Sequence, residues 1–288
     1  MSQPNLHDNK TLQILRAAEK GGYGVLAAVA YNMEHILGFV QAAEGKRSPL
    51  IIQFFPWAIK FSNGLLVHAA AQAAKTASAP IAVHLDHCQD ADLVKEAAEL
   101  PFDSIMIDMS HRPKAENLSR TAELVRYCRQ RGIATEAEPG RIEGGEDGLS
   151  NTLDLTPLLT TAEETAAFVS AGIDILAPAF GNVHGEYGPR GVVLDWNRLA
   201  RIHDVTFAGG VMLALHGVNR FPVNLTRRLV ASGISKINVN RDILDDYYRH
   251  LQANVGKFPF TQLLEEGVEV VSRSMAHHMD IVLSSGKA

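Results

Sequence analysis

Ile81-Ala82-Val83-His84-Leu85-Asp86-His87 is a short apolar run of strand character that stops on a histidine, just before the polar turn Cys88-Gln89-Asp90. Two more runs end the same way: Phe180-Gly181-Asn182-Val183-His184-Gly185 and Met212-Leu213-Ala214-Leu215-His216-Gly217. If the three strands are parallel neighbours, His87, His184 and His216 meet at one rim. Three neutral imidazoles with an open fourth position make a catalytic zinc site. Two acids, Asp86 and Glu146, accompany them, and the combination points to metal-assisted chemistry next to a carbonyl. A lone histidine beside an apolar strand is more often a packed or hydrogen-bonded residue than a ligand, and His84 fits that description.

The rest of the chain keeps the same rhythm. Eight apolar runs occur at 24–30, 50–54, 81–85, 104–107, 133–137, 173–177, 211–215 and 234–239. Segments of helical spacing lie between them at 64–79, 90–100, 115–131, 162–170, 194–203, 223–232 and 242–252. Strand–helix alternation repeated eight times in about 250 residues predicts an α/β fold, a (β/α)8 TIM barrel. A doubly wound open sheet is the competing architecture. The count of eight favours the barrel, as do polar residues clustering after strands from all over the chain. No Pro/Ser-rich linker divides residues 1–288, so a single domain is expected. Residues 1–20 read as a leading helix (Thr11–Lys20) able to cover the barrel floor. One connection, 138–160, is long, glycine-rich and carries Glu143, Glu146 and Asp147. Connections of that length in a compact domain are usually functional or disordered, and it reads as a mobile active-site loop bearing an acid.

Composition narrows the function. The 288 residues are 46% hydrophobic, with 27 basic and 32 acidic side chains and a net charge of −5. That balance, with no lysine/arginine cluster, argues against nucleic acid or an anionic membrane as partner. No apolar run approaches the ~20 residues of a membrane span. The start of the chain carries no signal-peptide core. Cys88 and Cys128 make no disulfide framework, so a reduced, cytoplasmic protein is expected.

Six motifs then stand in one order: His84-Leu85-Asp86-His87, Met106-Ile107-Asp108-Met109-Ser110-His111, Glu136-Ala137-Glu138-Pro139-Gly140, Phe180-Gly181-Asn182-Val183-His184-Gly185, Leu215-His216-Gly217 and Lys236-Ile237-Asn238-Val239. In order and spacing they resemble the class II fructose-bisphosphate and tagatose-bisphosphate aldolases, from about residue 11 to about residue 255. The resemblance implies a zinc-dependent retro-aldol cleavage of a ketose 1,6-bisphosphate, fructose 1,6-bisphosphate first, into dihydroxyacetone phosphate and an aldehyde phosphate. It implies His87, His184 and His216 as zinc ligands. Glu138 and Asp108 resemble the acids of an alternate metal position, with room for a second divalent or a monovalent cation. They would equally serve by accepting a hydrogen bond from a ligand's free N–H. Asp86 resembles the group that exchanges the C4-hydroxyl proton. Glu146 resembles the loop glutamate that moves the C3 proton, and Asn238 the residue that orients the three-carbon ketone. Gln53, Gly185 and Gly217 match substrate-binding positions. The partner implied is a small-molecule sugar phosphate, and the assembly a homodimer or homotetramer.

The substrate-binding positions depart from the family's pattern. The Gly/Ser-rich phosphate turn reads His216-Gly217-Val218-Asn219-Arg220, and the last strand leads into Asn238-Val239-Asn240-Arg241. Val29 ends the first strand where an asparagine is usual, and Phe55 stands where a serine is common. Gly188 replaces the usual lysine, with Arg190 close behind. Anion binding is therefore expected to run through Asn219, Arg220, Asn240 and Arg241, unless the arginines turn outward into salt bridges. Phe55 and Val29 would make the pocket drier and narrower. Lys236, inside the last strand, offers a Schiff-base route. Its plainer role is to pair with a carboxylate on a neighbouring strand, since three histidines have no task in Schiff-base chemistry.

Overall fold

Eight strands follow one another around a closed, all-parallel barrel. They are β1 (Val25–Val29), β2 (Leu50–Phe54), β3 (Ile81–Cys88), β4 (Ser104–Ile107), β5 (Ala134–Ala137), β6 (Ile175–Leu176), β7 (Met212–Leu215) and β8 (Ile234–Val239). β8 closes onto β1 with Lys236 opposite Val25 and Asn238 opposite Ala27. The architecture is the expected (β/α)8 TIM barrel. The computed structural model describes residues 6–142, 144, 158–187 and 191–288. Glu143, Glu146 and Asp147 of the long loop, and Gly188 and Arg190, lie outside the described residues.

The helices are α1 (Lys10–Gly21), α2 (Met33–Lys46), α3 (Pro56–Ser62), α4 (Leu65–Thr76), α5 (Ala91–Ala97), α6 (Lys114–Arg129), α7 (Ala162–Ala171), α8 (Trp196–Gly209), α9 (Val223–Ala231), α10 (Arg241–Asn254) and α11 (Phe260–Ile281). Asn9 starts α1 by accepting the Leu12 N–H, and Gly22 at φ 64° ends it in the left-handed region. This helix caps the barrel floor, where Leu12, Leu15 and Ala18 pack against Val25, Ala27, Ile51, Ala82 and Ala214. The segment expected over 64–79 is α4 alone; α3 precedes it, separated by the left-handed pair Asn63 and Gly64. Helices α2 and α11 lie outside the segments read from spacing. On α2, Ile36, Phe39, Ala42 and Ala43 are buried, and Gly38 lies so close to Val271 of α11 that a Cβ would fall 2.7 Å from it. Packed on the barrel and also under α11, α2 has little of the polar face that marks an amphipathic helix.

Inward-facing residues change character with height. The floor is apolar, and the main apolar layer lies between sheet and helices. Halfway up, the inward positions become Gln53, His84, Glu136, Lys236 and Asn238, all buried. In a TIM barrel the C-terminal strand ends are where chemistry sits, and this polar layer supports that rim from beneath.

Candidate active site and metal centre

Strand β3 delivers two consecutive residues to one pocket. Alternation along a strand should send neighbours to opposite faces. Here the β3–β4 register shifts between Leu85 and Cys88, and His87 takes φ 47°. The bulge re-aims His87, so that Asp86 and His87 both line the pocket at the C-terminal mouth. A non-glycine residue in the left-handed region stores strain of order 1–3 kcal/mol, a cost typical of functional positions.

The three histidines come together, with ring centroids 4.8 Å apart for His87–His184 and for His87–His216, and 5.7 Å for His184–His216. Their ring orientations follow from second partners. His87 donates from Nδ1 to Asp108 Oδ2 at 2.9 Å, and His216 donates from Nε2 to Glu136 Oε1 at 2.8 Å. With those tautomers, His87 Nε2 and His216 Nδ1 face each other 2.9 Å apart as two lone pairs. His184 Nε2 is buried without a hydrogen-bond partner. Nitrogens facing one another this closely need a proton or a metal ion between them, and three convergent imidazoles ringed by carboxylates fit a divalent metal in that place. One nitrogen from each of the three lies within 4.8 Å of the others. Burial holds His184 and His216 well below 6.5, in the neutral form a metal ligand requires. Burial also opposes charge on His87, yet Asp86, Asp108 and Glu138 around it raise it to about 10, so the centre is rich in negative charge.

Backbone clips fix the loops behind the ligands. Asn182 Nδ2 donates to the His216 carbonyl at 3.1 Å, and Tyr187 Oη donates to the Gly217 carbonyl at 2.8 Å while accepting the Val183 N–H. Gly217 sits at φ 72°, and a Cβ there would lie 2.1 Å from the Val183 carbonyl, so no larger residue fits.

Asp108 also accepts from Gln89 Nε2 and the Ser110 N–H. Burial opposes its ionisation, but the His87 hydrogen bond and charge hold it well below the usual carboxylate range. Glu138 accepts the Ile142 N–H at 2.5 Å, and burial next to Asp108 raises it well above the usual range. With His87 these two form a second group of potential ligands.

Asp86 is oriented through one oxygen. Its Oδ2 accepts from Gln53 Nε2 at 2.9 Å and Asn238 Nδ2 at 3.0 Å, while Oδ1 has no hydrogen-bond partner. The Asn238 amide is set by Lys236, whose Nζ donates to Asn238 Oδ1 at 2.7 Å. Lys236 is fully buried and meets Glu136 Oε2 at 2.9 Å as a charge contact. The carboxylate belongs to β5, across the barrel, rather than to a neighbouring strand. His84 hydrogen-bonds Ser104 Oγ through Nδ1 at 2.8 Å, beneath the site. Glu136, Asn182 and Tyr187 were not singled out from sequence. Glu136 sat inside a quoted motif, but nothing local says that it reaches His216 and Lys236.

Gly185, Gly217, Asn219, Asn240 and Arg241 gather at the β6–β8 side of the same pocket, and Gln53 and Asn238 line it too. Arg241 begins α10, with its guanidinium 3.7 Å from Asp245 and 45% exposed. Arg220 is not brought into the pocket: it is 68% exposed, 4.0 Å from Glu186. No described helix is long and apolar enough to cross a membrane.

The comparisons agree with this geometry. The family described as Fructose-bisphosphate aldolase class-II matches residues 9–287. A Coccidioides immitis (strain RS) protein provisionally named a fructose-bisphosphate aldolase is 48% identical, over 100% of this chain and 98% of its own length. The crystal structure of a C. immitis protein, provisionally named a fructose-1,6-bisphosphate aldolase, superposes with TM-score 0.95 at 49% identity, covering 97% of this chain and 98% of that one. Fructose-bisphosphate aldolase of Streptococcus pyogenes serotype M3 (strain ATCC BAA-595 / MGAS315) is 32% identical over 96% of this chain and 98% of its own. A barrel with three convergent imidazoles, an oriented aspartate beside them and this breadth of similarity make the chain a member of the class II fructose-bisphosphate aldolase family, a carbon–carbon lyase.

Proposed function

We propose that the protein is a zinc-dependent aldolase that reversibly cleaves the C3–C4 bond of a ketose bearing an anionic group at C1, releasing a three-carbon ketone phosphate and an aldehyde. The observation that carries this reading is the convergence of three imidazoles in one pocket with Asp86, one of whose oxygens has no hydrogen bond. The family's description names fructose bisphosphate, and fructose 1,6-bisphosphate is taken as the reference substrate.

His87, His184 and His216 would hold the metal, which would supply Lewis-acid stabilisation of the enediolate charge left when the bond breaks. Asp86 Oδ1 takes the proton of the C4 hydroxyl, which becomes the aldehyde oxygen. Gln53 and Asn238 hold Oδ2, which leaves Oδ1, 3.9 Å from His84 Nε2 and without a hydrogen bond, as the oxygen available for the proton. Asn238 also orients the ketone. Glu146, outside the described residues, returns a proton to C3, a role that rests on the family resemblance. Gly185, Gly217, Asn219, Asn240 and Arg241 form the corner where the C1 anion is held, beside the N-terminus of α10. Lys236 Nζ is engaged by Glu136 and Asn238 and does not line the pocket, which argues against a Schiff base.

The test pairs metal content with turnover. Chelated, dialysed protein is expected to lose C3 proton exchange of dihydroxyacetone phosphate, with any cleavage of fructose 1,6-bisphosphate, and to regain it with zinc, and His216→Ala to lose bound zinc by elemental analysis. Unchanged turnover in chelator overturns the reading.

A further inference from the structure

The mouth of the pocket has two unlike sides. At the β6–β8 corner lie glycines, amides and Arg241. At the β1–β2 side lie Val29, the last residue of β1, and Phe55, just after β2, 5% and 2% exposed. Val29 pairs in register with Gln53, whose amide donates to Asp86. The apolar side therefore adjoins Asp86, the acid assigned to the C4 oxygen.

This wall is rigid and backed by further rings. Phe55 precedes Pro56, which confines it to extended backbone, observed at φ −79° and ψ 161°. Tyr31 meets the Phe55 ring edge-on at 6.4 Å, and Trp57 lies 6.1 Å from Tyr31. The Tyr31 hydroxyl donates to Asn240 Oδ1 at 3.1 Å, tying the apolar wall to the polar corner.

Charge on the two sides is unequal. Arg241 is the one lysine or arginine among the described residues lining the pocket, and Asp242 lies next to it. Lys236 is paired with Glu136 below, and Arg220 lies outward against Glu186. One anionic end can be offset; a second phosphate would be desolvated against Val29 and Phe55 with no further cation among the described lining residues to meet it.

We propose that the aldehyde half of the substrate carries no phosphate and is apolar beyond the reacting carbon, an inference that rests on the aldolase reading above. The substrate class is a ketose 1-phosphate with an uncharged hydrocarbon tail. In the synthetic direction, dihydroxyacetone phosphate loses a C3 proton to the base. The C3 electron pair forms the C3–C4 bond with the aldehyde carbon, the C=O π pair moves to oxygen, and that oxygen takes a proton from Asp86. One proton leaves and one enters, with no redox change.

The experiment uses the zinc-loaded full chain in D2O with dihydroxyacetone phosphate, followed by NMR. C3 proton exchange without any aldehyde reports the aldolase reading. Condensation is then compared for butanal, glyceraldehyde and glyceraldehyde 3-phosphate. Butanal is expected to exceed glyceraldehyde 3-phosphate in kcat/KM by about tenfold or more, and Phe55→Ser to move that ratio toward the phosphorylated aldehyde by about tenfold. Exchange with glyceraldehyde 3-phosphate or glyceraldehyde as the best acceptor overturns this inference and leaves the aldolase reading standing. Absence of both exchange and condensation overturns the aldolase reading, and this inference with it.

Discussion

Replacing Lys236 by methionine removes one half of an ion pair that has no access to water. Lys236 and Glu136 are both 0% exposed, and the ammonium also donates to Asn238 Oδ1 at 2.7 Å. Methionine fills a similar volume, so packing is largely kept while Glu136 is left as a buried carboxylate with no cationic partner, its oxygens facing the His216 N–H at 2.8 Å and His84 Nε2 at 3.5 Å. Removing one partner of a buried pair costs about 3–5 kcal/mol. For a domain of this size that corresponds to a fall in Tm of about 5–8 °C. The double variant Lys236→Met/Glu136→Gln removes the stranded charge and is expected to recover about 1–3 kcal/mol relative to additivity. Urea unfolding of wild type, both single variants and the double variant completes the cycle. A Lys236→Met protein within about 1 kcal/mol of wild type, or a cycle additive within about 0.5 kcal/mol, would refute the view that this pair anchors the polar layer. Borohydride with dihydroxyacetone phosphate should trap no adduct on Lys236.

Asp86→Ala is expected to lower turnover about 10²–10⁴-fold with bound zinc retained, because Asp86 is assigned to a proton and not to the metal; loss of zinc in that variant would show the assignment wrong. Arg241→Ala should raise KM for dihydroxyacetone phosphate about tenfold while sparing unphosphorylated dihydroxyacetone, and an equal effect on both would remove Arg241 from the anion site. Acid stability should report His35, which burial among Tyr31, Phe39 and Tyr247 holds down at about 4. The unfolded chain protonates this imidazole below about 6.5 while the folded one resists, so stability is intact above that pH and is lost as pH falls toward 4. The shift corresponds to about 3 kcal/mol at most. In urea midpoints between pH 7 and pH 4, His35→Gln, which keeps an acceptor for the Tyr31 N–H, should flatten the slope relative to wild type; equal slopes would discard the idea.

Much of the fold was legible because the period of apolar residues is a local property. Each run from 24–30 to 234–239 carries its own strand signal, and the histidines at the ends of three runs mark the rim without any knowledge of packing. The family's motifs were legible for the same reason: each is short and contiguous. Helix α2 was not, because burial against both the barrel and α11 erases the one-sided pattern that periodicity detects. The aim of Asp86 and His87 into one pocket was also hidden, since it depends on a bulge set by pairing with β4.

The site's polar interior was decided by tertiary structure alone. His216 reaches Glu136 across 80 positions of sequence, and Asn238 reaches Asp86 across 152. Two arginines that read alike in sequence part company as well: Arg241 begins α10 and lines the pocket, whereas Arg220 at φ 55° lies exposed near Glu186. Alternation and composition are written residue by residue, but which side chains share one cross-section is set by strand register around a closed barrel. That register is fixed only when all eight strands pair at once.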